Sequence, residues 1–409
     1  MNKKIICFAL VISMVFLTGC NNGGNAGSSQ KGSENSVMKS LSEIRSETAN
    51  IADFDSRFDN LDLSNTRFYV PDVDKIEDFS IVFDASIDEK EKLLLDAAEW
   101  MMNEPAGEND LTYYSYDGEY IPYAECKDSP KRGENYGLFC RNDKLNSAIN
   151  LGGSYIYFGN NAVDELVSTS VNTPRFINEQ DPIEEYDLLA GGSVEKSFEL
   201  QDGEIKVSDA VDFLKSDFES SPLCIDGLNV FPRRAGVYTV GEKTGIHADF
   251  FFEHNGVVLD YHIYINDLES DDGTNAKTRL CFDAAMVWKN QTDQLYGVPI
   301  CAKLKPTGES FDEFVSLEHF LSMMSEKLTG KSEFTIDSIE LLYGVNRILP
   351  EGYSTFSFEE KAKAPISGYK AHPIWVAYLS HTGIQESEQM CVTADAVTGE
   401  LKLYASYKF

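Results

Sequence analysis

The sequence predicts an α+β protein in which antiparallel sheets carry one main helix per module, a pattern that occurs twice in the C-terminal half. Two observations lead there. Amphipathic helical spacing is scarce after Pro105, and most of the remainder alternates apolar and polar residues between Gly and Asn turns, which is the signature of strands. A helical stripe followed by such alternation then recurs at residues 208 and 316, as expected for a helix packed on an antiparallel sheet. The 409 residues include 42% hydrophobic and 12% aromatic side chains, enough for a packed core. With 35 basic and 67 acidic residues the formal charge is -32, so nucleic acid and anionic lipid are repelled and excluded as main partners.

Read from its beginning, the chain opens with Lys3-Lys4, an apolar run from Ile5 to Leu17, and Leu17-Thr18-Gly19-Cys20. As a helix the run reaches about 20 Å, short of a hydrocarbon core of about 30 Å, so residues 1–19 read as a secretion signal and not as a membrane span. The Leu-Thr-Gly-Cys ending resembles the lipobox of bacterial lipoproteins. That resemblance implies Cys20 as the mature N-terminus, lipidation with diacylglycerol, and an extracytoplasmic protein anchored to the cell membrane. Two acyl chains suffice for stable attachment, so the polypeptide need not bind the bilayer itself. Residues 20–50, rich in Asn, Gly, Ser, Gln and Glu, read as a flexible tether interrupted by a weak helical patch at Met38, Leu41 and Ile44.

The body divides into residues 51–190, an N-terminal α+β part, and two helix-plus-sheet modules at 191–300 and 301–409. In the first part Ser86 and Glu89 have capping-box spacing, Leu93, Leu94, Ala97 and Met101 follow at helical intervals, and Pro105 stops the helix. Tyr113, Tyr114, Tyr116, Tyr120 and Tyr123 surround the turn signal Asp117-Gly118. They fit a hairpin with inward tyrosines better than an exposed sugar-binding platform. The two modules align through Phe213-Leu214 and Phe320-Leu321, then through strand openings at Ile225-Asp226 and Ile336-Asp337. Acidic Gly turns, Asp202-Gly203-Glu204 and Thr307-Gly308-Glu309, precede them.

Between the helical stripes, Asn255-Gly256 signals a two-residue hairpin turn that places His254 opposite Val257. Phe250, Phe252, Leu259, Tyr261 and Ile263 then share the core face. His247, Asp249, Glu253, Asp260, His262 and Tyr264 share the other, with Asp249 opposite His262 and His247 diagonal to it. His247, Asp249 and His262 are therefore the candidate metal ligands or acid-base group, against the simpler reading of an outward polar face with an ordinary ion pair. Asn266 to Gly273 has the charge of a calcium loop, but Thr278 stands where a bidentate Glu is needed, and a solvated loop fits better. Ser193-Val194-Glu195-Lys196 and Lys243-Thr244-Gly245 mimic penicillin-recognising motifs without a helix opening at Ser193. His319, His372 and His381 stand alone in sequence and read as packing or solvent residues.

Six cysteines remain in the body: Cys126, Cys140, Cys224, Cys281, Cys301 and Cys391. Their pairing is open, with Cys126–Cys140 and Cys281–Cys301 closing the shortest loops and buried thiols as the other reading. The chain ends in a strand at Val392 to Ala394, a turn through Asp395 and Thr398-Gly399-Glu400, and a returning strand to Tyr404. This hairpin resembles the terminal hairpin of PepSY-like domains, which implies a small helix-on-sheet fold serving inhibition or protein contact. No catalytic residue and no cofactor are expected. The leading expectation is a lipid-anchored, cell-surface protein that contacts another envelope protein or a peptide. A solute-binding lipoprotein of an uptake system is the alternative, and an envelope hydrolase or metal-binding protein the third.

Overall fold

The computed structural model describes residues 37–51, 54, 57–103, 105–114, 120–126, 137–142, 147–152, 155–160, 182–189, 194–240, 243–260, 280–299, 301–328, 334–348, 351–357, 368–380 and 388–407. Cys20 and His262 lie outside the described residues, as do the calcium-like loop and His381. The first elements in chain order are β1 (Met38–Lys39), α1 (Leu41–Ala49), β2 (Leu61–Asp62), β3 (Arg67–Tyr69), β4 (Ile76–Val82) and α2 (Ile87–Met102). Helix α2 begins as its sequence directs. The Glu89 amide donates to Ser86 Oγ (3.2 Å) and the Ser86 amide to Glu89 Oε2 (2.7 Å), while Asn103, in the left-handed region, ends the helix before Pro105.

β5 (Leu111–Tyr114), β6 (Tyr120–Pro122), α3 (Tyr123–Cys126), β7 (Gly137–Asn142), β8 (Ser147–Gly152) and β9 (Tyr155–Asn160) follow. β5 and β6 form the tyrosine hairpin, with Tyr114 opposite Tyr120. The first module contributes β10 (Glu184–Asp187), β11 (Ser197–Leu200), β12 (Gly203–Lys206), α4 (Val207–Glu219), β13 (Asn229–Val240), β14 (Lys243–His254), β15 (Val257–Asp260), β16 (Cys281–Met286) and β17 (Gln294–Pro299). The second contributes β18 (Lys303–Phe311), β19 (Phe314–Val315), α5 (Leu317–Lys327), β20 (Phe334–Ile348), β21 (Gly368–Ser380), β22 (Glu388–Asp395) and β23 (Leu401–Tyr407). The fold is α+β with mostly antiparallel sheets.

Each module is a helix followed by an antiparallel meander. In the first, β13, β14, β16 and β17 pair in succession, and the run continues through β9, β8, β7, β5 and β6. In the second, β20, β21, β22 and β23 pair in succession. Val211, Leu214 and Phe218 of α4 are buried, and Phe218 stacks on Phe282 with ring centroids 3.9 Å apart. Leu317, Phe320, Leu321 and Met324 of α5 are buried likewise, and Phe320 stacks on Trp375 at 5.5 Å. Burying side chains of this size contributes about 1.5–3 kcal/mol each, so these stripes fix the helices to their sheets.

The strand openings do not correspond as expected. Ile225-Asp226 lies in the loop before β13, whereas Ile336-Asp337 lies inside β20, so the likeness rests on helix and meander alone. Likewise Asp202 turns the β11–β12 hairpin, whereas Gly308 sits in a bulge of β18.

The segment expected as a tether as far as residue 50 is structured from residue 38. Ser40 and Glu43 cap α1, and Leu41 and Ile44 are buried in the core. This segment clamps α5 at both ends. Glu47 Oε2 accepts from the Leu317 amide (2.9 Å), where a helix N-terminus favours a carboxylate, and Asn60 Nδ2 donates to the Ser325 and Leu328 carbonyls (3.0 and 2.9 Å). β2 and β3 then pair parallel with β20, and β4 pairs with β18 and β21. Residues 61–82 thus join the second meander, while 111–160 extend the first. Among the described residues, no helix is long and apolar enough to cross a membrane.

The hairpin at Asn255-Gly256 forms as expected. Both turn residues have positive φ, and His254 faces Val257, Glu253 faces Val258, and Phe252 faces Leu259. β15 then leaves β14 and pairs parallel with β20 through Leu259–Tyr343 and Asp260–Gly344, joining the two meanders. From Phe251 back to Ile246, the partner of β14 is β16.

Candidate functional site

The exchange of partners along β14 corrects the expected site. Asp249 stands opposite Asp283 of β16, not opposite His262, because β16 occupies the edge that residues beyond 260 would have needed. The driving contact is apolar: Phe282 stacks between Phe218 and Phe250 (centroids 3.9 and 4.9 Å), fixing β16 beneath α4. His262 lies outside the described residues. Of the three expected ligands, His247 and Asp249 remain together, and Asp283 joins them.

Alternation along strands puts these side chains on the face away from α4. One row of cross-strand partners runs Arg234, Asp249, Asp283; the next runs Gly236, His247, Ala285, Gln294. Arg234 Nε donates to Asp249 Oδ2 (3.0 Å), and its Nη1 lies 3.5 Å from Glu185 of β10. His247 Nδ1 lies 3.5 Å from Asp249 Oδ1, and the Tyr238 ring meets the imidazole edge-on. One donor atom from each of His247, Asp249 and Asp283 lies within 4.8 Å of the others.

This face was expected to be an outward polar surface, yet it is covered. His247 is only 4% exposed, and Phe251 and Val258 on the same side are buried. At the Phe251 end the cover includes β3, whose Tyr69 packs edge-on against Phe231. Burial pushes the His247 imidazole below its ordinary pKa against the pull of Asp249. Among the described residues its Nε2 has no hydrogen-bond partner, and neither polar atom of Gln294, 1% exposed, has one. Beside Gln294, the buried Asp293 carboxylate accepts from the Val287 and Trp288 amides (2.6 and 3.2 Å) and is pushed up to about 6 by burial.

Two further ionic groups escaped sequence reasoning. His372 of β21 was read as solitary, but its Nδ1 donates to buried Asp78 of β4 (2.9 Å). Its Nε2 lies 3.3 Å from Asp395 Oδ2, close enough for charge attraction without hydrogen-bond alignment. Lys370 adds contacts to Asp78 (3.1 Å) and Glu309 (3.0 Å). Asp395 also shapes the terminal hairpin turn by accepting from the Val397 and Thr398 amides (2.8 Å each). Separately, buried Glu340 pairs with Arg233 (3.0 Å) and accepts from Ser338 Oγ (2.8 Å), beside a small cleft lined by Arg67, Phe68, Asp187, Leu189 and Ser338. Cys224 and Cys301 are thiols, so the Cys281–Cys301 bridge is not formed, and Cys281 and Cys391 are buried in strands.

No family model matches the sequence, and no curated protein matches it. Among solved structures the chain is similar to an uncharacterized protein from Eubacterium rectale, at 13% identity and a TM-score of 0.52, over 84% of this chain and 91% of that one. It also aligns with the C-terminal domain of Bacillus megaterium YpeB at 8% identity and a TM-score of 0.27, over 79% of this chain and 99% of that one. The first likeness shows a shared fold alone; the second, at that score, carries no argument.

Proposed function

We propose that the protein is a binding protein of the bacterial cell envelope, held to the membrane by diacylglycerol on Cys20 and contacting another envelope protein or a peptide. The observation that carries the contact is the terminal hairpin. β23 pairs over seven residues with β22 and, among the described residues, with no other strand. An open edge of this kind recognises extended peptide through its free backbone groups. The resemblance of the Asp395 to Glu400 turn to that of PepSY-like domains supports the same role. Lys3-Lys4, the Ile5–Leu17 run and Leu17-Thr18-Gly19-Cys20 support export and anchoring, and a body of strong negative charge relies on lipid rather than on its own surface for attachment. Sheet-rich modules also fit this reading better than the alternating strands and helices of a solute-binding subunit.

A photo-crosslinking residue at the exposed Lys402 position, used on intact cells with mass spectrometry, tests the contact. The expected outcome is a specific envelope protein captured there and not from the same probe at Glu351. Capture of nothing, together with a melting temperature raised by a sugar or amino acid, reverses the reading to a solute binder. Metabolic labelling with palmitate tests the anchor: the wild type takes up label and Cys20→Ala does not.

A further inference from the structure

The geometry points to a divalent-cation site, of the chemistry zinc favours, formed by His247, Asp249 and Asp283 on the covered face of the first meander. The inference is independent of acylation and of any partner at β23. Three observations converge on it.

The donor set is apt. An imidazole and two carboxylates are ligands that zinc takes in three-residue sites, with a fourth position left to water. Either tautomer of His247 leaves one ring nitrogen with an unshared pair. The three donor atoms already lie within 4.8 Å of one another. Zinc bonds of about 2.0–2.2 Å place tetrahedral ligands about 3.4 Å apart, so closure needs little more than about 1 Å of side-chain movement.

The surroundings are polar and unsatisfied where a folded protein is normally satisfied. Ala285 separates His247 from Gln294 in one row, and Asp283 is the diagonal neighbour of both. Ala285, with the shortest side chain of the three, thus stands between two longer polar ones. Both of these, His247 at Nε2 and Gln294 at its two amide atoms, are more than nine-tenths buried and, among the described residues, without partners. A hydrated cation held by His247, Asp249 and Asp283 supplies bonds of the kind these groups lack: a Lewis acid for an imidazole and a bound water for an amide.

The outer contact is apt as well. Arg234 holds Asp249 through Oδ2 and leaves Oδ1 turned toward His247. A guanidinium fixing the far oxygen of a ligating carboxylate is the outer-shell arrangement that orients a metal ligand.

The test is calorimetric titration of zinc chloride into the purified full chain in detergent, after treatment with a chelator and its removal. A surface this acidic binds zinc weakly at many carboxylates, so stoichiometry and variants decide. The expected result is one tight site per chain, weakened about tenfold or more by His247→Ala and by the isosteric Asp283→Asn, and unchanged by His319→Ala on α5. Zinc should raise the melting temperature of the wild type and not of Asp283→Asn, with the metal-free circular dichroism spectra of the two superimposable. Absence of a one-to-one site, or equal zinc binding by the wild type and Asp283→Asn, overturns the assignment. Asp283→Asn keeps the test decisive if His247→Ala fails to fold.

Discussion

A histidine that looks solitary in sequence acquires its chemistry only when strands distant in the chain meet. His372 and Asp78 are 294 positions apart, and no local spacing links them. Burial opposes protonation of His372, but Asp78 and Asp395 outweigh it and raise its pKa above the ordinary value. A histidine whose folded pKa is raised contributes stability that is fully present below its unfolded pKa, about 6.5, and is lost as pH rises through the folded value. His372→Gln is therefore expected to cost about 1–2 kcal/mol in acid, with the gap to the wild type narrowing in alkali, as read from urea denaturation on either side of neutrality. His247 was legible because Asp249 follows it at strand spacing, but Asp283 was not. Its only local sign is an acidic residue inside the apolar run Cys281 to Met286.

At the scale of elements, whatever was set by neighbours in sequence was readable. The Ser86–Glu89 box and the Asn255-Gly256 turn each depend on a few consecutive residues, and both form as read. Ser86→Ala removes the acceptor for the Glu89 amide and is expected to destabilise by about 1 kcal/mol, measurable as a lowered denaturant midpoint with unchanged slope. The fate of the strand after Asp260 was hidden because it is decided by competition. β16 brings Phe282 into the aromatic stack beneath Phe218, and β15 finds its partner in β20. The helical patch read at Met38, Leu41 and Ile44 forms as α1, because its Ser40 cap is local, but the packing beside α5 that buries Leu41 and Ile44 was hidden for the same reason.

At the scale of the molecule, both meanders share one apolar cluster and are tied by β15, so they should unfold together. In the 5-fluorotryptophan-labelled chain, the fluorine resonances of Trp288, in the first module, and Trp375, in the second, are expected to report the same urea midpoint. Phe320→Ala, which removes the ring stacked on Trp375, should lower both signals in step by about 3–5 kcal/mol. Separate midpoints would show two independent folding units. The clamp around α5 also bears on mechanics. β1 pairs with β19 through Met38–Val315 and Lys39–Phe314, and Glu47 and Asn60 grip the two helix ends. Tension entering from the amino end, where a lipid would hold the chain, loads the carboxy-terminal half first: two ladder pairs peel, and α5 then takes the strain, while the face carrying His247 stays out of the force path.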